Sequence, residues 1–148
     1  MEDTFGTWVQ VFVPPSNALR PQAVEIVEKL GMNISGTMTD KFNRKVDMYS
    51  VNVYLRKALW RLTKHGISYP YTMKYKAHKE LTGYAFTPSM NMEKFKNQYE
   101  FCKRNNCNFT LATHYWELLS DIQLKDQFYK FLDTALQEQK AGFVSEVF

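Results

Sequence analysis

The chain lacks the residues and runs that mark several large classes of protein. Its 148 residues include only two cysteines, Cys102 and Cys107, too few for a disulfide framework. No apolar run approaches the roughly 18 residues of a transmembrane helix. The start of the chain also lacks the basic and apolar segments of a signal peptide. These absences predict a cytoplasmic protein without a membrane partner, with both thiols unpaired.

The common sequence signatures of catalysis are missing as well. There is no glycine-rich phosphate loop, no G-x-S-x-G nucleophile elbow and no H-E-x-x-H zinc motif. No two histidines stand at metal-ligand spacing, and two cysteines near His114 do not complete a zinc site. The chain alone is therefore not expected to hold a metal or another cofactor.

Charge of one sign is not concentrated anywhere. The 19 Lys and Arg are scattered among 15 Asp and Glu, which leaves a net charge of +4. Nucleic-acid-binding arms typically carry a run of about five or six like charges, so nucleic acid is not an expected partner. The densest basic stretches, residues 41–45 and 56–61, are interpreted as solvated faces.

The residues that are abundant favour a packed globular core. Hydrophobic residues make up 45% of the chain and aromatic residues 16%, which fits a single domain over residues 1–148. So many aromatic side chains favour a core first, although they are also common in carbohydrate-binding clefts.

Strand and helix patterns alternate along the chain. Residues 7–13 and 33–38 predict strands on either side of a helix over 19–30, with Pro21 in its first turn and Gly31 after its end. This order predicts a parallel pair with a right-handed crossover. Further helices are predicted over 49–64, 92–105 and 121–140, and further strands over 67–75, 83–87, 108–113 and 143–148. The whole predicts an α/β fold, either part of an irregular (β/α) barrel or an open, mostly parallel sheet with flanking helices.

Two of these helices carry further signals. Val51, Leu55, Ala58, Leu59 and Leu62 form an apolar stripe on the helix over 49–64. Ser120 and Gln123 form a capping box that is expected to open the last helix.

Ligands of such folds meet the carboxyl ends of parallel strands, and His114 directly follows one predicted strand. Its imidazole suits a general acid or base near neutral pH, and a structural histidine bound to a backbone carbonyl is equally open. Glu117 either orients this ring or faces solvent, and solvent is favoured. Trp116 either stacks on a sugar or packs in a core or an interface, and packing is the favoured interpretation. Asn17 either reaches the same cleft or caps the following helix, and the cap is favoured.

Two short motifs resemble a known family. The sequence F-V-P-P-S-N over residues 12–17, followed by a helix and Leu30-Gly31, resembles the third block of NodB-type polysaccharide deacetylases. There a strand ends in a proline-bearing loop that lines the substrate groove. The sequence L-A-T-H over 111–114 resembles the last block, a strand that ends in Leu-x-x-His. The resemblance covers most of this chain but only the second half of a family domain.

The resemblance implies a catalytic acid at His114, which protonates the leaving amine, and a groove lined by Pro14, Pro15 and Asn17. The family's Asp-Asp pair and His-x-x-x-His, which bind a divalent metal such as zinc, do not occur here. Phe12 or Val13 replaces the arginine usual before the proline loop. The metal ligands are therefore expected from a longer parent protein.

Two functional hypotheses follow from these observations. The first is the C-terminal portion of a metal-dependent carbohydrate deacetylase, with Trp116 and Glu117 in the substrate site. The alternative is a non-catalytic α/β domain that binds a glycan or a protein and lacks the metal site. A homo-oligomer and pairing with a missing N-terminal half are both open.

Overall fold

The computed structural model of the protein describes residues 6, 8–14, 19–36, 44–64, 66–138, 141–142 and 146. Helices and small parallel sheets make up this part of the chain, which confirms the α/β class. The strands are β1 (Val11–Phe12), β2 (Asn33–Ser35), β3 (Met73–Lys74), β4 (Lys79–Leu81), β5 (Gly83–Phe86) and β6 (Thr110–Thr113). The helices are α1 (Pro21–Lys29), α2 (Met48–Thr63), α3 (Met92–Arg104), α4 (Tyr115–Ser120) and α5 (Ile122–Glu138).

The strands form two sheets that share one continuous stretch of chain. The first sheet has the order β1-β2-β4-β3, in which β1, β2 and β4 are parallel and β3 is antiparallel to β4. The second sheet pairs β5 and β6 in parallel. Thr82 alone separates β4 from β5, so one extended run of chain belongs to both sheets. The predicted parallel pairing of the first two strands is confirmed.

The backbones of β2 and β5 come very close where this run passes the end of β2. A Cβ atom on Gly83 would lie 2.8 Å from the Cα atom of Gly36, a separation that real Cβ atoms essentially never show. The backbone N–H of Gly36 also donates to the carbonyl of Leu81 at 3.0 Å. The absence of a side chain at Gly83 therefore allows β4 to continue into β5 at this position.

Two hydrophobic clusters hold helices on the strands. One joins α1 to β1 and β2 around Ile34, which is fully buried. The other surrounds the fully buried Phe86 of β5, whose ring centroid lies 5.2 to 6.4 Å from those of Phe95, Phe128 and Phe131. Aromatic rings buried at these distances add pairwise stabilisation to the hydrophobic free energy of burial.

The predicted positions of the helices agree with the structure better than the predicted lengths of the strands do. Pro21 is at the first turn of α1, and Gly31 follows that helix with a φ of 68°, as predicted. The strand predicted over 7–13 has only two residues within the described part of the chain, and the strand over 67–75 is reduced to β3. Most of residues 143–148, where a last strand is predicted, lie outside the described residues.

The residues before β3 stay out of the sheet because side chains bind their backbone. The indole N–H of Trp60 donates to the carbonyl of Ile67 at 2.8 Å, and the Gln98 side chain accepts from the N–H of Ser68 at 2.7 Å. Backbone groups bound in this way are not available to a strand ladder. The alternating pattern of these residues is therefore not a strand signal.

The apolar stripe of α2 faces outward. Val51, Leu55, Leu59 and Leu62 are between 41% and 73% exposed, whereas Val53 is buried. The orientation of α2 is fixed at both ends by hydrogen bonds. A capping box between Asp47 and Ser50 opens the helix, and Trp60 binds the segment that follows it. No described helix is long and apolar enough to cross a bilayer.

The predicted capping box at Ser120 does not form, and an aspartate takes its place. The Asp121 carboxylate accepts the N–H of Leu124 at 2.9 Å at the start of α5. Ser120 ends α4, and its hydroxyl donates to the carbonyl of Glu117 at 3.1 Å. The chain turns between the two helices at Asp121, so the helical region after His114 is divided.

A buried ionic cluster joins α1, β4 and the segment before α2. His78 is 5% exposed, and its two ring nitrogens each lie 2.8 Å from a carboxylate oxygen, one of Glu28 and one of Glu80. The Nε of Arg44 donates to the same Glu80 oxygen. The ring of Tyr75 stacks on His78 with centroids 4.9 Å apart. The sequence assigned no role to His78, and the structure makes it the buried histidine of the fold.

The two hydrogen-bonding partners of Glu80 keep its buried carboxyl ionised. Burial raises the pKa of Glu80, but hydrogen bonds from His78 and Arg44, together with their charges, more than offset it, so the pKa lies below its usual value. A carboxyl of this kind adds stability above its unfolded pKa. That stability is lost as the pH falls through the folded pKa.

We predict that Glu80→Gln lowers the free energy of unfolding near neutral pH by about 3 kcal/mol, because it removes the carboxylate that His78 and Arg44 face. The loss of stability below about pH 4.5 should also be shallower in the variant. Urea unfolding over a pH series measures both effects. Glu25→Gln, on the exposed side of α1, is the matched control. Parallel pH profiles for the wild type and Glu80→Gln would refute this account of Glu80.

Candidate functional site

The structure places His114 at the end of a parallel strand, as predicted. β6 ends at Thr113, and His114 is the N-cap of α4, although its side chain makes no capping hydrogen bond. β6 is half-buried and pairs only with β5 among the described strands. The imidazole is exposed and therefore accessible to a ligand.

Aromatic side chains surround this histidine. The His114 ring stacks on Trp116 with centroids 4.3 Å apart and an angle of 12° between the rings. The ring of Tyr115 meets Trp116 edge-on at 5.2 Å. Trp116 is 55% exposed, so it is not a core tryptophan, and its predicted place in an interface stays a prediction. We call His114, Tyr115 and Trp116 the aromatic patch.

Glu117 lies half-buried beneath the first turn of α4. Its Oε2 atom is buried without a hydrogen-bond partner among the described residues. Among the described residues, no hydrogen bond joins the Glu117 carboxylate to the His114 ring. An orienting role for Glu117 is therefore not observed. A buried acceptor without a partner costs roughly 1 to 3 kcal/mol and is a common property of functional residues.

Two hydroxyl-bearing residues follow β5 at the edge of the sheet where His114 follows β6. The register pairs Phe86 with Thr113, and the Thr113 hydroxyl donates to the Phe86 carbonyl at 2.9 Å. The next step of this register places Thr87 next to His114. The Thr87 and Ser89 hydroxyl oxygens are 3.3 Å apart. The segments that follow β5 and β6 therefore lie at the same edge of this sheet.

The proline-bearing segment after β1 does not join them in the described structure. Pro14 is buried just after β1, whereas Pro15 and Asn17 lie outside the described residues. β1 pairs only with β2 among the described strands, so β2 and the β4–β5 run separate it from β6. The groove that the sequence predicts between Pro14 and His114 therefore remains a prediction.

Metal-binding side chains do not cluster in the described part of the chain. No group of three His, Cys, Asp or Glu residues there is close enough to hold a metal ion. Cys102 and Cys107 are both free thiols, as predicted. Burial raises the pKa of the Cys102 thiol, which disfavours the thiolate needed for reaction or metal binding.

Comparison with known proteins adds no family to these observations. No protein-family model, curated protein or solved structure matches the chain. The functional interpretation therefore depends on the residues and geometry described above.

We predict that Glu117→Met raises the free energy of unfolding by about 1 kcal/mol, because it removes the buried unpaired oxygen and keeps the length of the side chain. Thermal and urea unfolding measure the change. Glu93→Met, in the exposed first turn of α3, is the matched control and should not be stabilising. Destabilisation by Glu117→Met would instead show that this carboxylate supports the fold.

Proposed function

We propose that the strand-end site binds a carbohydrate. The observation that carries this proposal is the exposed stack of His114 on Trp116, directly after β6. The hydroxyls of Thr87 and Ser89 follow β5 at the same edge of this sheet. An aromatic face packs against the C–H groups of a sugar ring, while polar side chains bind its hydroxyl groups. The site offers both kinds of contact in adjacent positions.

The Glu117 carboxylate supports the same proposal. Its unpaired buried oxygen lies one residue after Trp116 and is an acceptor that a sugar hydroxyl would satisfy after a small side-chain rotation. Carbohydrate sites that recognise hydroxyl groups reject analogues that leave such acceptors unpaired. Glu117 would therefore contribute to selectivity rather than to the aromatic contact.

Deacetylase activity of the NodB type is a second proposal. It is favoured by the position of His114 immediately after a strand that ends in Leu-x-x-His, where the resemblance implies a catalytic acid. A protonated imidazole at this position would give its proton to a leaving amine. The described residues do not fit a metal site, so the zinc and its ligands would have to come from residues outside them.

The strand order supports a proposal about the wider fold. β1, β2, the β4–β5 run and β6 are parallel neighbours in chain order, and a helix lies between each and the next. Barrels of alternating strands and helices are built in this order. We infer that these strands are part of a (β/α) barrel completed by a second copy or by an N-terminal half.

We predict that the protein binds chitotetraose and that Trp116→Ala weakens this binding by at least about tenfold, because the stacking surface is lost. His114→Ala should weaken it by a smaller factor. Isothermal titration calorimetry with the full chain measures both.

The matched control is Trp8→Ala, since Trp8 is 57% exposed, close to the 55% of Trp116, and lies before β1. It should bind like the wild type. Equal losses in the two tryptophan variants, or no binding of chitotetraose and cellotetraose by the wild type, would exclude this site as a carbohydrate site.

A further inference from the structure

A second candidate site lies in a cavity away from the aromatic patch. The cavity has a volume of about 480 Å³ and lies between α2, residues 66–69, β5 and the start of α3. This volume is typical of small-molecule sites, which range from about 300 to 1,000 Å³. Residues 114–117 are not among its described lining residues, so the two sites are separate.

Positive charge dominates the lining of this cavity. Lys57 and Arg61 line it from one face of α2, where they are four residues apart, and Lys64 lines it from the position that follows this helix. Lys94 lines it from α3, and no Asp or Glu is among the described lining residues. Several cations around a concave surface of low dielectric produce a potential that concentrates anions.

The first turn of α3 contributes to the same potential. Asn91 lines the cavity and caps the helix, since its side chain accepts the N–H of Lys94 at 2.9 Å. The other N–H groups of this turn have no carbonyl partner within the helix and form the positive end of its dipole. Phosphate groups commonly bind at such a turn when cationic side chains surround it.

The remaining walls are neutral and already fixed by hydrogen bonds. Gln98 is 4% exposed, and its amide accepts from the N–H of Ser68 at 2.7 Å and donates to the Tyr84 hydroxyl at 3.0 Å. Burial raises the pKa of Tyr84, so this hydroxyl carries no charge. Trp60 and Phe95 add apolar surface to the same lining. A ligand would therefore find a preorganised site whose described lining residues include no negative group to repel it.

We propose that this cavity binds a small organic phosphate ester, with the phosphate between Arg61, Lys64 and Lys94 and the carbon body against Trp60 and Phe95. The proposal is independent of the carbohydrate site, because the charge, the enclosure and the lining elements are all different. A single-stranded nucleic acid needs an open groove that follows the backbone, whereas this site is a cavity of small-molecule size.

The test titrates the full chain with AMP, ribose 5-phosphate, adenosine and ribose by calorimetry. The phosphate esters should bind at least about tenfold more tightly than their unphosphorylated counterparts. Comparing the affinities for AMP and ribose 5-phosphate distinguishes a nucleotide site from a sugar-phosphate site, because only AMP carries a base to place against Trp60. Amide NMR shifts on adding AMP should map to residues 82–85 and 91–95, which requires no variant.

The double variant Lys64→Glu and Lys94→Glu should weaken binding of the phosphate esters by at least about tenfold. Lys125→Glu with Lys130→Glu, on exposed positions of α5, makes the same change of charge elsewhere and should bind like the wild type. Equal weakening by both pairs would overturn the proposal, as would equal affinity for adenosine and AMP or no binding of any phosphate ester. Tighter binding of a single-stranded oligonucleotide than of AMP would overturn it in favour of a nucleic-acid site.

Discussion

The buried charge of Glu80 is the constraint on which the arrangement of the sheet depends. Glu80 lies in β4, in register with Ile34 of β2 on one side and Met73 of β3 on the other. A buried carboxylate is tolerated at this position only when it is paired and hydrogen-bonded, and Arg44 and His78 supply these contacts. His78 extends the contact to Glu28 on α1. Glu80 and His78 together therefore link β4 to α1 and to the segment that leads into α2.

Both candidate sites are built on the chain that continues from β4. β4 continues through Thr82 into β5, which is possible beside β2 because Gly83 has no side chain. β5 forms part of the basic cavity along its length. At its carboxyl end it leads into Thr87, at the edge of the sheet where His114 follows β6. A change in the position of Glu80 would therefore shift the walls of one site and the rim of the other.

The sequence predicted the elements whose signals are local. Pro21 and Gly31 bound α1, and the strand end at His114 follows from the apolar run before it. β4 was missed because two of its three residues, Lys79 and Glu80, are charged. Burial of Glu80 depends on Arg44, which is far away in the sequence.

The spacing of apolar residues predicts that a helix carries an apolar stripe. It does not predict which side of the helix packs against the rest of the protein. The stripe of α2 is real, yet hydrogen bonds at the two ends of the helix turn Val53 and Trp60 inward instead. The same limit applies to the sites. His114 is recognisable from its own strand, whereas the basic cavity combines α2 with Lys94 across a long stretch of sequence.

A double-mutant cycle between His78 and Glu80 tests the central claim most directly. The variants are His78→Gln, Glu80→Gln and the combination, and urea unfolding at neutral pH gives the free energy of unfolding for each. If the ionic cluster holds β4 in place, the summed losses of unfolding free energy in the two single variants exceed the loss in the double variant by at least about 1 kcal/mol. Losses that add within about 0.3 kcal/mol would show that the two side chains are not coupled and that the sheet does not depend on this contact.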